Sequence, residues 1–167
     1  MGLFDFFKQA SPTKLADQLF QHAVRIDISQ EMKIHLASAA IDVDRYRNEQ
    51  QLVQLYWTQN LLYSAAYSKE NKFFQNTSEL FGSKFYSLVE ERQYFGFENK
   101  YSLNDHLHKY YTFESADKMV SMLFHALRNQ NLIVKSDDAR RVFTEYLRLF
   151  TDGMKEIVLP HIRRELG

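Results

Sequence analysis

Apolar residues recur at three- and four-residue intervals along almost the whole chain, and no stretch alternates as a half-buried strand would. Each such run predicts a helix. Ser11-Pro12 opens the first, because a serine oxygen caps free amides and proline at the first helical position has no amide to leave unpaired. Leu15, Leu19, Ala23 and Ile26 then form its inner stripe. Asp27 and Gln30 have capping-box spacing ahead of a second stripe, Met32, Leu36, Ala39, Ala40 and Val43. No glycine or proline interrupts the chain from Ile41-Asp42-Val43-Asp44 to Tyr67, so one long helix or two collinear ones fit equally.

Between Leu52 and Tyr67 the pattern is apolar nearly all round. Val53, Tyr56, Trp57, Tyr63 and Tyr67 share one face, and Leu52, Leu55, Leu62 and Ala66 the next, which places this helix at the centre of a bundle. Asn76 and Glu79 predict a further start before Leu80, Phe81, Phe85, Leu88 and Val89, with Gly96 ending the run. Gly82 within it either weakens the helix or admits a close neighbour. A loop follows over residues 94–101, then a short helix from Ser102 to Tyr111, with Asp105 at its start. Ser115 or Thr112 caps a helix with Met119, Val120, Leu123 and Leu127 inward. Ser136-Asp137-Asp138 opens the last helix, whose inner residues are Val142, Phe143, Tyr146, Phe150 and Ile157. Gly153 and Pro160 lie inside that pattern, so a break or kink is expected near Leu159. The reading is an all-α, irregular single-domain helical bundle of about five to seven helices over residues 11–167, preceded by a short amphipathic segment over residues 1–10.

The chain has 167 residues, with hydrophobic residues at 45 % and charged ones at 25 %, enough apolar side chains for a core without disulfides. Twenty-one basic residues balance 21 acidic ones, so no field of one sign gathers phosphates, and nucleic acid is not the expected partner. Cysteine is absent, which removes disulfides, thiolate metal sites and a cysteine nucleophile and suits a reducing cytoplasm. No apolar run reaches the roughly 20 residues that span a bilayer. Leu3, Phe4, Phe6 and Phe7 make a brief apolar turn, and peripheral membrane contact through it is a secondary expectation. Its single lysine, Lys8, offers little attraction to anionic lipid.

Candidate chemistry is sparse. A di-metal carboxylate bundle needs inward Glu-x-x-His pairs, and the chain contains none. Glu31 with His35 and the run Asp105-His106-Leu107-His108 come nearest; on a helix His106 and His108 point about 200° apart and do not converge on one ion. No Gly-x-Ser-x-Gly elbow or glycine-rich phosphate loop is present. An enzyme is therefore not the leading expectation, and neither a metal nor a cofactor is expected. Asn60, on the face of Tyr56 and Tyr63, needs a hydrogen-bond partner if buried. With His106 it marks a weaker alternative, a ligand-binding or catalytic bundle.

Aromatic residues carry the remaining signal. Sixteen of the chain's 25 fall between Tyr56 and Phe113. Phenylalanine belongs mostly to a core, whereas tyrosine also suits binding surfaces, offering a large rigid face and a hydroxyl that tolerates water. Tyr94, Phe95, Phe97, Tyr101, Tyr110 and Tyr111 cluster around the expected loop and are the candidate partner-binding residues. The expected function is a non-enzymatic module that binds a protein partner: a small cytosolic regulator, or a neutralising protein of the immunity or antitoxin type.

Overall fold

The computed structural model describes residues 11–68, 70–92, 103, 105–108, 116–127 and 136–166. Every regular element among them is helical, as the periodicity predicts. Helix α1 spans Pro12–Val24 and starts where expected: Ser11 is extended, and its Oγ accepts from the Lys14 N–H at 3.2 Å. Helix α2, Gln30–Ser38, is capped by Ser29, whose Oγ accepts from the Met32 N–H at 3.1 Å. The expected cap, Asp27, stands two residues too early. Its carboxylate instead pairs with Arg25 at 2.9 Å, and its N–H donates to the Tyr146 hydroxyl at 3.3 Å.

The uninterrupted run through Ile41 is two helices. Ala40 takes φ 54° in the left-handed region, the Ile41 N–H returns to the Leu36 carbonyl at 2.9 Å, and the Ala40 N–H to that of Ala37 at 3.0 Å. These are the paired closing bonds by which helices usually end on glycine. Leu36 and Ile41 are both buried, so the apolar contact that accompanies such a stop offsets the strain of an alanine there. Asp42 then caps α3, Val43–Ser68, by accepting from the Arg45 N–H at 2.9 Å.

Helix α3 is the central element and touches every other helix. Leu52, Val53, Leu55, Tyr56, Leu62 and Ala66 are buried on it, but Tyr63 and Tyr67 are 54 % and 58 % exposed and do not enter the core as their register suggested. Polar side chains occupy its interior instead. The Tyr46 hydroxyl donates to Gln50 at 3.1 Å, the Gln50 amide to Gln54 at 3.1 Å, and Gln54 to the carbonyls of Ala23 and Arg25 at 3.1 and 3.2 Å. Gln51 donates to the Val24 carbonyl at 2.8 Å. A helix end leaves its last carbonyls without intrahelical partners. This ladder supplies them to α1, so buried glutamines here are satisfied groups. Thr58 completes the face, donating to the Gln54 carbonyl at 2.8 Å with Met154 Sδ 3.4 Å away.

Helix α4, Lys72–Arg92, begins one turn before the predicted start. Asn71 is its cap, accepting from the Phe74 N–H at 3.1 Å, and Asn76 lies inside the helix. Phe81, Phe85, Leu88 and Val89 are buried as expected, while Leu80 is turned outward. Gly82 admits a close neighbour: a Cβ there would stand 3.2 Å from Gln59 Oε1.

In α5, Ala116–Ala126, the inner residues are Met119, Val120 and Leu123, with Leu127 just beyond, as the stripe predicted. Helix α6, Asp137–Leu166, is capped by Ser136 through the Ala139 N–H at 3.2 Å and carries Asp137 and Asp138 in its first turn. It continues as a helix through Gly153 and Pro160, so of the two alternatives expected near Leu159 the break does not occur. Tertiary contacts hold the turns beyond the proline. His161 stacks on Phe73 with centroids 5.7 Å apart, Arg164 lies over the same ring at 5.0 Å, and the Glu165 carbonyl accepts from Asn71 at 3.2 Å.

One cluster of buried side chains runs through all six helices. Phe124, Phe143 and Tyr46 meet at its α5 and α6 end, Phe143 edge-to-face with each of the other two, and Phe20, Phe81 and Phe85 fill the α1 and α4 end. Among the described residues, no helix is long and apolar enough to cross a membrane.

Candidate functional site

The aromatic loop residues Tyr94, Phe95, Phe97, Tyr101, Tyr110 and Tyr111 lie outside the described residues, as does the N-terminal segment 1–10. Asn60 and His106 are described and stand along one side of α3. Asn60 is half-buried, and its amide donates to the Tyr56 carbonyl one turn back at 3.0 Å. His106 donates through Nε2 to Glu49 at 2.6 Å, and His108 Nδ1 shares a 3.0 Å hydrogen bond with the Tyr56 hydroxyl. Glu49 and Tyr56 are two helical turns apart, about 10 Å along the axis. The two imidazoles therefore engage α3 at separate points.

With side-chain exposures of 14 % and 19 %, Glu49 and His106 form a largely shielded carboxylate–imidazole contact. Burial raises the Tyr56 hydroxyl above its ordinary value, opposed by a bond from Asn60. This geometry orients two rings and clamps residues 105–108, with Leu107 buried, against the central helix; Leu103 is buried as well. No cluster of three or more His, Asp or Glu side chains suited to a metal ion occurs among the described residues.

A groove lies elsewhere on the molecule. Helices α3 and α4 border this groove of about 820 Å³, lined on α3 by Gln59, Tyr63 and Tyr67 and on α4 chiefly by Glu79, Ser83, Tyr86 and Glu90. Tyr63 and Tyr67, four residues apart, place their rings 4.2 Å centroid to centroid at 38°. Gly82 and Ser78 form the floor with Gln59, which donates to Ser78 Oγ at 2.8 Å. Among the described residues no basic side chain lines the groove, and Glu79 and Glu90 are exposed carboxylates. The Tyr67 hydroxyl is held above its usual range first by its bond with Tyr63, then by burial and the Glu79 charge.

Periodicity put Tyr63 and Tyr67 on the face of Tyr56, and that register is correct. What it missed is that the face changes surroundings along its length. Tyr56 lies beneath His108, whereas two and three turns further on the same face meets the polar side of α4. A legible signal was the stripe Gln75, Glu79, Ser83, Tyr86 and Glu90, polar but for one tyrosine at helical spacing. A second hollow of about 320 Å³ lies among His22, Arg25, Asp27, Tyr146, Leu149 and Phe150. Its polar groups already bond one another, Arg25 to Asp27 and Asp27 to Tyr146.

No protein-family model, curated protein or solved structure matches the chain.

Proposed function

We propose that this chain is a non-enzymatic protein-binding module whose contact surface is the tyrosine-lined groove between α3 and α4. The observation that carries the reading is the exposed pair Tyr63 and Tyr67, whose tilted rings lie 4.2 Å apart, in a groove also lined by Tyr86. Leaving two large aromatic rings in water forgoes their burial in the core. Tyrosine is the side chain most suited to regain that burial against a partner, since it brings contact area with few rotors. The cysteine-free composition suits a reducing cytosol, and in this reading the module is a cytosolic regulator or a neutralising partner. The aromatic segment from Tyr94 to Tyr111, which follows α4 in the chain, is the second surface in this reading.

Affinity capture from native lysate, run with wild type and with the Tyr63→Ala/Tyr67→Ala double variant, tests it. The expected result is loss of the wild-type partner by at least about tenfold, since two central aromatic contacts commonly carry about 2 kcal/mol or more of binding. Thermal unfolding should change little, because both rings are exposed. Capture unaffected in that variant but lost in Tyr94→Ala/Phe97→Ala/Tyr101→Ala would move the site to the aromatic segment. Capture unaffected in both would overturn the reading.

A further inference from the structure

The composition of the groove defines its occupant. Glu79, Ser83, Tyr86 and Glu90 follow one another on α4 at intervals of four, three and four residues, so they share one face. The two carboxylates end that row about 16 Å apart, at 1.5 Å per residue. Tyr63 and Tyr67 line the α3 side of the same groove. The lining thus presents carboxylates and tyrosine rings, groups that attract cations, and among the described residues it includes no basic side chain. Neither Glu79 nor Glu90 forms an ion pair within the chain among the described residues.

We propose that the groove docks a helical segment of a partner protein bearing arginine at two positions about three turns apart. This rests on the protein-binding reading above and specifies the partner's chemistry. Arginine fits better than lysine. Its guanidinium offers donors in a planar fork that meets a carboxylate with two bonds, and the same plane stacks on tyrosine. A helix fits the shape, because a trough between two packed helices receives a third along its length, and eleven residues of helix bring two arginines over Glu79 and Glu90 together. The length of the acidic row, Glu79 to Glu90, exceeds what a single small cation spans. The net-neutral chain supplies no wider negative field, so attraction is confined to this row and weakens as salt screens it.

The test uses the intact protein and two synthetic alanine-rich helical peptides, one with arginine and one with the neutral isostere citrulline at the two positions eleven residues apart. Backbone amide shifts of Gly82, Ser83 and Ser87 report occupancy of the groove. The expected result is saturable perturbation by the arginine peptide, with affinity lower by at least about tenfold for citrulline, the ratio set by losing two charge-assisted contacts. Glu79→Gln/Glu90→Gln should weaken arginine-peptide binding similarly; both side chains are exposed, and unchanged thermal unfolding checks that the variant is folded. Equal affinity for the two peptides, or no perturbation by either, overturns the proposal. So does sedimentation showing that the wild-type protein self-associates and that Glu79→Gln/Glu90→Gln abolishes this, which would make a second copy the occupant. If Tyr63→Ala/Tyr67→Ala abolishes native capture while Glu79→Gln/Glu90→Gln preserves it, the groove binds a protein by other chemistry: the function stands and this inference falls.

Discussion

A single methyl group at residue 153 would meet the imidazole of His22. An added Cβ would stand 2.7 Å from His22 Cε1, inside any tolerable contact, and the ring has little room to retreat. It is stacked on Phe150 at 5.0 Å and 9° and hydrogen-bonded to the Phe150 carbonyl at 2.9 Å. Alanine is the better helix former by about 1 kcal/mol. Overpacking costs about 1–3 kcal/mol and here also breaks the bond. Gly153→Ala is therefore expected to destabilise by about 1–2 kcal/mol in urea unfolding, and a stability equal to wild type would show that His22 moves freely. Residues of this kind limit what a sequence discloses. Gly153 reads as a helix breaker until His22, far away in the chain, is seen against it. Ala40 misleads in the opposite sense, since an alanine in the left-handed region ends α2 with no punctuation in the sequence.

At the scale of elements, the inner stripe of α5 was legible, as were Leu15, Leu19 and Ala23 on α1, because each helix has one apolar face. Ile26 lies beyond α1, and of the residues expected inward on α6 Phe143 and Phe150 are buried while Val142, Tyr146 and Ile157 are partly so. Helix α3 was legible as central, but not in what lines it. Gln50, Gln51 and Gln54 are polar residue types that carried no core signal, and the end of α1 beside them makes their burial favourable. Gln54→Met keeps the volume while removing the donor to the Ala23 and Arg25 carbonyls and the acceptor for Gln50. An expected loss of about 2–3 kcal/mol follows from stranding those buried groups. Hydrogen exchange in this variant should accelerate first at the C-terminal half of α1; acceleration spread evenly over all helices would show that the ladder does not hold that end. Helix starts were read within one turn, because serine, asparagine and aspartate recur near every start and only tertiary contacts select among them. The groove was missed for a similar reason, as its aromatic half and its polar half lie on different helices.

For the whole molecule, buried ionisable groups set the pH range of stability. Burial, reinforced by the Arg164 charge, lowers the basicity of His161, whose neutral ring lies against Phe73. As pH falls below about 6.5 the unfolded chain takes up this proton before the folded one, so folding is weakened on the acid side. At the alkaline end the sign of the proton balance reverses. Burial holds the Tyr46 hydroxyl well above its ordinary value and pushes Tyr146 up to about 12. The unfolded chain releases these protons from about pH 10 while the folded chain retains them, and their stabilising contribution is lost as pH rises through the folded values. A plot of melting temperature against pH should show a plateau between these limits. His161→Phe should flatten the decline between pH about 7 and 5; an unchanged slope would assign the acid limb to other groups. Within that range the glutamine ladder has a consequence of another kind. Its hydrogen bonds all run one way, from the Tyr46 hydroxyl through Gln50 and Gln54 to the carbonyls of α1. No amide in the series can turn over alone without setting oxygen against oxygen. Hydrocarbon faces tolerate sliding by a fraction of a turn, but this sequence of dipoles recognises a single alignment of the first helix on the third, and so acts as a lock on which fold the chain adopts.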